Sequence, residues 1–197
     1  MLVVDVEASG LDPKTDSIVS VGALDFAHPD NRFYEECRVW DGAHISSESL
    51  DVNGFTREQI IDSAKPSEAD TIHAFLQWSE KLEERTLAGQ NVSFDRDFLS
   101  AAAERAGHTE WPFAFRTIDA HTLCYTHMIQ RGLQPPTAHR RSALDLDAIL
   151  VYCGIPMEPT PHNAQTGALS HAEVISRLLY SRKLLPEFTQ YEIPWRK

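Results

Sequence analysis

Asp5 and Glu7 are the first residues in the chain whose types and spacing could do chemistry. They interrupt an otherwise apolar run, Leu2-Val3-Val4-Asp5-Val6-Glu7-Ala8. On a strand, residues i and i+2 share a face, so the two acids project together while Val4 and Val6 point the other way. Out of water the pair would suffer desolvation and mutual repulsion. A cation between them relieves both, and neighbouring carboxylates suit Mg²⁺ or Mn²⁺. Taken alone, the pair is equally compatible with two exposed acids on a solvated edge strand.

Two further groups join them. Asp95, in Asn91-Val92-Ser93-Phe94-Asp95, falls in the first turn of an expected helix, where the helix dipole favours negative charge. Capping is the plainer explanation of an acid there. Phe94, Phe98 and Leu99, however, can anchor the helix and leave Asp95 facing the sheet. His162, in Pro161-His162-Asn163-Ala164-Gln165-Thr166-Gly167, stands at the expected start of the last helix. That position disfavours imidazolium. A neutral imidazole beside a metal site is a suitable general base for water. A surface histidine at a helix start is the plainer reading.

The elements that must position these groups follow from periodicity and turn residues. Strands are expected at Leu2–Ala8, Ser17–Ala27 and Arg32–Trp40, an antiparallel meander with turn material between. Helices follow at Thr56–Asp62 and Ser67–Arg85, the second capped by Ser67. A buried strand is expected at Thr86–Asn91, then a helix at Ser93–Ala106 closed by Gly107. A fifth strand at Phe115–Asp119 leads to a helix at His121–Arg131 closed by Gly132. Leu133–Arg141 reads as a mobile loop with a basic tip. Helices at Ser142–Tyr152, with Ser142 as cap, and about His162–Leu185 complete the pattern. The expected class is α/β, a mixed five-stranded sheet with helices on both faces. Residues 1–185 would form one domain and 186–197 a tail that packs loosely or serves a homodimer.

The composition is that of an ordinary soluble domain, 42% hydrophobic and 24% charged. Cys37, Cys124 and Cys153 form no metal or disulfide spacing, which suggests reduced thiols in a cytoplasmic protein. No apolar run approaches the length of a membrane span, and no signal peptide precedes the first strand. The net charge is −11, but it is uneven: residues 1–130 carry 10 Lys/Arg and 23 Asp/Glu, residues 131–197 carry 8 and 6. Such a surface is a poor platform for long duplex. A short strand end can still be held where divalent cations neutralise the site.

The three acidic and histidine segments, in this order, resemble the DEDDh exonucleases, the DnaQ-like group within the ribonuclease-H-like fold. Asp5-x-Glu7 with Gly10-Leu11 matches the first motif and Asn91-x-x-Phe94-Asp95 the second. His162-x-Ala164-x-x-Gly167 matches the third except at its last position. Asn53-Gly54-Phe55-Thr56 and the Leu146–Leu150 stretch with Gly154-Ile155 also look familial, so the likeness covers roughly 1–185. The resemblance implies 3′–5′ hydrolysis of nucleic acid to nucleoside 5′-monophosphates with two divalent cations, Mg²⁺ or Mn²⁺. It implies that Asp5, Glu7 and Asp95 hold the metals and that His162 acts as base. Ala8, Ser9, Gly10 and Leu11 would wedge the terminal nucleotide, with Asn91 and Phe94 in the same pocket. Arg140 and Arg141, in the basic loop, are candidates for backbone phosphates. The partner would be the 3′ end of a single strand of DNA or RNA, and a polymerase partner or a homodimer is compatible with this.

Gly167 departs from the family pattern, which has a metal-binding aspartate there. Glycine offers no ligand and costs about 1 kcal/mol in a helix relative to alanine. Glu173 lies about 9 Å further along the helix axis, a poor replacement. The expectation is therefore an impaired enzyme on an active scaffold, or alternatively a non-catalytic nucleic-acid- or nucleotide-binding module on the same fold.

Overall fold

The computed structural model describes residues 1–196; Lys197, the last residue of the expected tail, lies outside them. In chain order the strands and helices are β1 (Leu2–Ala8), β2 (Ile18–Asp25), β3 (Arg32–Glu36), α1 (Ser47–Asn53), α2 (Arg57–Ile60), α3 (Glu68–Ser79), β4 (Leu87–Gly89), α4 (Ser93–Arg105), β5 (Ile118–Asp119), α5 (Ala120–Gln130), β6 (Thr137–Ala138), β7 (Arg141–Ser142), α6 (Leu146–Tyr152) and α7 (Ala164–Tyr180). A 3₁₀ turn follows at Pro186–Phe188.

The main sheet has the order β3-β2-β1-β4-β5. β1 to β3 pair antiparallel, and β4 and β5 join parallel to β1. The expected mixed five-stranded sheet is present. Period-2 alternation along β1 sorts its side chains between two cores. Leu2, Val4, Val6 and Ala8 enter one core with Phe75 of α3 and Phe98 and Leu99 of α4. Val3 enters the other with Cys124 of α5, Leu150 of α6, and Ala168, Ala172 and Ile175 of α7. Asp5 and Glu7 share the Val3 face, beyond the point where apolar packing stops. Each fully buried Leu, Ile, Val or Phe contributes roughly 1.5–3 kcal/mol, so both faces hold β1 firmly at the sheet centre.

α7 crosses that face very closely. Gly22, which pairs with Asp5 in the sheet, has no room for a Cβ because the Ala164 carbonyl lies against it. A Cβ on Gly167 would meet the Asp5 carboxylate, which would have to turn aside. The glycine that weakens the helix therefore has a packing reason: it admits Asp5.

Several expected boundaries differ. α1 was not anticipated. It is capped by Ser46 and closed by Gly54 with φ 74°. Within Leu133–Arg141, expected as a loop, residues from Thr137 onward form a short hairpin, β6–β7, with His139 and Arg140 at positive φ in its turn. Ser142 belongs to β7, and its hydroxyl meets His121 Nε2 at 2.7 Å, so it cannot cap α6. Asp145 does so, accepting from Ala148 N–H. α7 starts at Ala164 because Asn163 accepts from the Gln165 and Thr166 N–H groups, and it ends at Ser181, which is left-handed. α3 stops at Ser79, well short of Arg85.

The tail is tied down. Arg177 is fully buried and donates to the carbonyls of Cys153, Phe188, Tyr191 and Glu192 and to the Glu173 carboxylate. Glu173 also accepts from the Leu184 and Leu185 N–H groups. Among the described residues, no helix is long and apolar enough to cross a membrane.

Candidate active site

Asp5 and Glu7 leave β1 on the α7 face, and Asp95 reaches them from α4. β1 and β4 are paired only at Leu2–Val3 with Leu87–Ala88. Beyond that the backbone N–H of Val6 has no strand partner, and Asp95 Oδ1 accepts from it at 2.9 Å. Asp95 is therefore not the cap of α4, whose N-cap residue, Val92, makes no side-chain capping bond. Asp119 caps α5, accepting from the His121 and Thr122 N–H groups, and also accepts from the Val92 N–H at the start of α4.

His162 arrives from the loop before α7. It precedes the N-cap rather than lying in the helix, so the helix-end argument applies to it less directly than expected. Its N–H donates to the Val52 carbonyl of α1 at 3.1 Å. Its neighbour Asn163 donates to the Tyr34 hydroxyl of β3 at 3.0 Å. Two anchors thus fix the loop.

Asp5, Glu7, Asn91, Phe94, Asp95 and His162 line one cleft of about 300 Å³, together with Glu158 and His171. A second cleft of about 350 Å³ adjoins it and shares Val6, Glu7 and Phe94. Ala8, Gly10 and Leu11 line this second cleft, with Val52 and Asn53 of α1 opposite. Leu11 is 80% exposed at its mouth. Ser9 is buried, and its hydroxyl donates to the His44 carbonyl, so its side chain supports the loop from inside. Arg140 and Arg141 are exposed on the hairpin and line neither cleft.

The electrostatics of the first cleft are those of like charges kept from water. Burial pushes the Asp5 carboxyl well above its ordinary range, and Asp95, Glu7 and Glu158 push it further. Burial and then Glu158 raise Glu7 to about 7. Burial raises Asp95 to about 8 against the opposing pull of the Val6 hydrogen bond. Glu158 is raised as well, chiefly by burial, and its carboxylate accepts from the Thr166 hydroxyl at 2.9 Å. Among the described residues, no three His, Cys, Asp or Glu side chains are already drawn together as a closed set of metal ligands. The donor chemistry nevertheless fits divalent cations. Several desolvated carboxylates on one cavity, held by separate elements, are destabilised without positive charge and relieved by it.

Two ionisable residues of this cleft were not expected from sequence. Glu158 sits in a proline-rich loop that carries no motif. His171 had a legible signal, since it follows Gly167 by four residues and must share its helix face.

A family model described as Exonuclease matches residues 2–175. Ribonuclease T of Haemophilus influenzae is 30% identical over 125 residues, 57% of this chain and 54% of that protein. Ribonuclease T of Hahella chejuensis is 29% identical over 206 residues, 95% of this chain and 87% of that protein. The chain thus spans about half the length of the first relative and most of the second. Among solved structures, the nuclease domain of 3′hExo, a DEDDh family member bound to rAMP, superposes with a TM-score of 0.69 at 18% identity, covering 93% of each chain. Escherichia coli Exonuclease I in complex with a dA16 oligonucleotide superposes with a TM-score of 0.70 at 17% identity, covering 92% of this chain and 40% of that one. At such identities the likeness establishes the fold, which is ribonuclease-H-like.

Proposed function

The chain belongs to the RNase T exonuclease family, and on that footing we propose that it is a metal-dependent 3′–5′ exonuclease acting on single-stranded nucleic acid, DNA or RNA, and releasing nucleoside 5′-monophosphates. One observation carries the reading: carboxylates from β1 and α4 and a histidine from the loop before α7 line the same cleft. Two divalent cations, Mg²⁺ or Mn²⁺, held by Asp5, Glu7 and Asp95, would supply charge neutralisation at the attacking and leaving oxygens.

The chain's own residues do the rest. His162 takes a proton from the attacking water as its oxygen bonds to phosphorus. The bond from phosphorus to the 3′-oxygen of the penultimate nucleotide breaks, and that oxygen leaves with a proton taken from solvent. The adjoining cleft holds the terminal nucleoside, with Phe94 and the exposed Leu11 offering apolar surface to the base. Asn91 stands at the rim, and Arg140 and Arg141 meet the backbone phosphates further along the strand. Gly167 reduces the ligand set, and turnover with Mg²⁺ is correspondingly low.

A 5′-labelled single-stranded oligonucleotide, incubated with Mg²⁺, Mn²⁺ or EDTA, tests this. Stepwise shortening from the 3′ end with mononucleotide release, abolished by EDTA, is the expected result. The missing carboxylate at Gly167 favours one rival, a module that binds without cutting. A strand that is retained but stays at full length with every cation would establish that rival and overturn the enzyme.

A further inference from the structure

His171 lies one turn beyond Gly167 on α7, facing the sheet over Asp5. Its ring is 2% exposed. Nδ1 is 3.2 Å from the Val4 carbonyl oxygen. A carbonyl can only accept, so Nδ1 carries the hydrogen and Nε2 presents its lone pair. Burial pushes the imidazole down to about 4, so the ring is neutral across the physiological range.

That lone pair looks into the cleft it shares with Asp5, Glu7, Asp95 and Glu158. Among the described residues Nε2 makes no hydrogen bond, and Asp5 Oδ1 is 3.9 Å away. At that distance the two atoms make no hydrogen bond to one another, and a cation between them satisfies both. An imidazole with one nitrogen donating to a backbone carbonyl and the other bare is the arrangement of a ligating histidine. Two donors sharing one ion at ordinary lengths lie about 3–3.4 Å apart, so a modest rotation of Asp5 closes the gap. Glycine at 167 is what lets Asp5 lie against α7 within reach of His171.

We propose that His171 Nε2 takes the coordination place left by Gly167, making a mixed carboxylate–imidazole centre that prefers Mn²⁺, Co²⁺ or Zn²⁺ to Mg²⁺. The proposal rests on the metal-dependent reading above. Imidazole suits the transition ions, whereas Mg²⁺ favours oxygen donors and keeps its waters.

The test uses the full chain, metal-free and then loaded with Mn²⁺, as wild type, His162→Ala and His171→Gln. Pulsed EPR reads imidazole nitrogen coupling to bound Mn²⁺, and calorimetric titration reads Mn²⁺ and Mg²⁺ affinities. Nitrogen coupling should persist in His162→Ala and vanish in His171→Gln. Mn²⁺ affinity should fall at least tenfold in His171→Gln while Mg²⁺ affinity changes less than twofold. If His171→Gln does not fold, His162→Ala still decides, because it leaves His171 as the one imidazole lining the cleft. Mn²⁺ bound to His162→Ala without imidazole coupling overturns the proposal and leaves the exonuclease reading intact. Failure of every form to bind Mn²⁺ overturns both.

Discussion

Asp95 Oδ1 accepts a hydrogen bond from the Val6 backbone N–H at 2.9 Å, placing an α4 carboxylate at the strand position midway between Asp5 and Glu7. The bond exists because β1 and β4 part after two paired residues. The opening of the sheet and the gathering of acids are thus the same event. An Asp95→Asn variant keeps an acceptor for Val6 and discards the charge. Because burial lifts Asp95 to about 8, metal-free Asp95→Asn should melt at or above the wild-type temperature near pH 8. Its turnover should fall at least a hundredfold, ~3 kcal/mol of barrier. Differential scanning calorimetry beside an oligonucleotide assay reads both, and a variant that loses stability and keeps activity contradicts the assignment.

The raised carboxyls set a pH dependence whose sign can be worked out. Glu7 titrates at about 7 and Asp95 at about 8 in the folded chain, and near 4 when unfolded. Between these limits the native state holds more protons, so metal-free stability falls as pH rises. His171 works the other way. Its folded value of about 4 removes stability as pH drops below about 6.5. The window from about pH 6.5 to 8 isolates the acids. In EDTA the melting temperature should decline across it, and saturating Mn²⁺ should flatten the decline. A profile that is the same with and without metal would remove these carboxyls from the metal site.

Gly167→Ala should destabilise the metal-free protein even though alanine is the better helix former by about 1 kcal/mol. The added Cβ would overlap the Asp5 carboxylate. Gly167→Asp adds a like charge to the same crowd, so it should melt lower still in EDTA. With Mg²⁺ it should regain that loss and raise turnover by orders of magnitude. A melt and a Mg²⁺ titration of each variant suffice; equal rates for Gly167→Asp and the parent would show that position 167 is not a ligand position.

His162→Ala should reduce turnover by about 10²–10⁴-fold, the usual worth of a positioned base. Metal affinity should change little, because the carboxylates are untouched. Comparable losses in turnover and in Mn²⁺ affinity would reassign His162 to metal binding.

Arg177→Leu should cost about 3–5 kcal/mol in denaturant unfolding, because Glu173 would stay buried without its partner. The double change Glu173→Leu with Arg177→Leu should recover part of that loss. Glu173 is thus withheld from the acidic cleft by its own ion pair with Arg177, as well as by its distance along the helix.

Much of this was legible in the chain. The period-2 run of β1 placed Asp5 and Glu7 on the face opposite Val4 and Val6, and the structure keeps that division. Ser67 and Gly107 marked real helix ends because capping and positive-φ chemistry are local. The errors lie where local chemistry is silent or shared. The β6–β7 turn uses His139 and Arg140 at positive φ, with no glycine to announce it. Ser142 and Asp145 are both good caps, and only the hairpin decides between them. Glu158 could not be found, since it reaches the cleft through a loop held by Asp147 and Thr166. Gly167 read as a lost ligand. The depth of its packing on Asp5 is a tertiary fact that no spacing declares.

The anchoring of the final segment on Arg177 has a mechanical consequence. α7 is one rod, with Gly167 near one end and Arg177 about 15 Å along it at 1.5 Å per residue. A tilt of about 4° at Arg177 would swing Gly167 by about 1 Å, and displacements of that size can slow an enzyme a hundredfold. The carbonyls of Phe188, Tyr191 and Glu192 therefore act as a clamp on a lever. Trimming the chain before them would misalign an acidic cleft that they never touch.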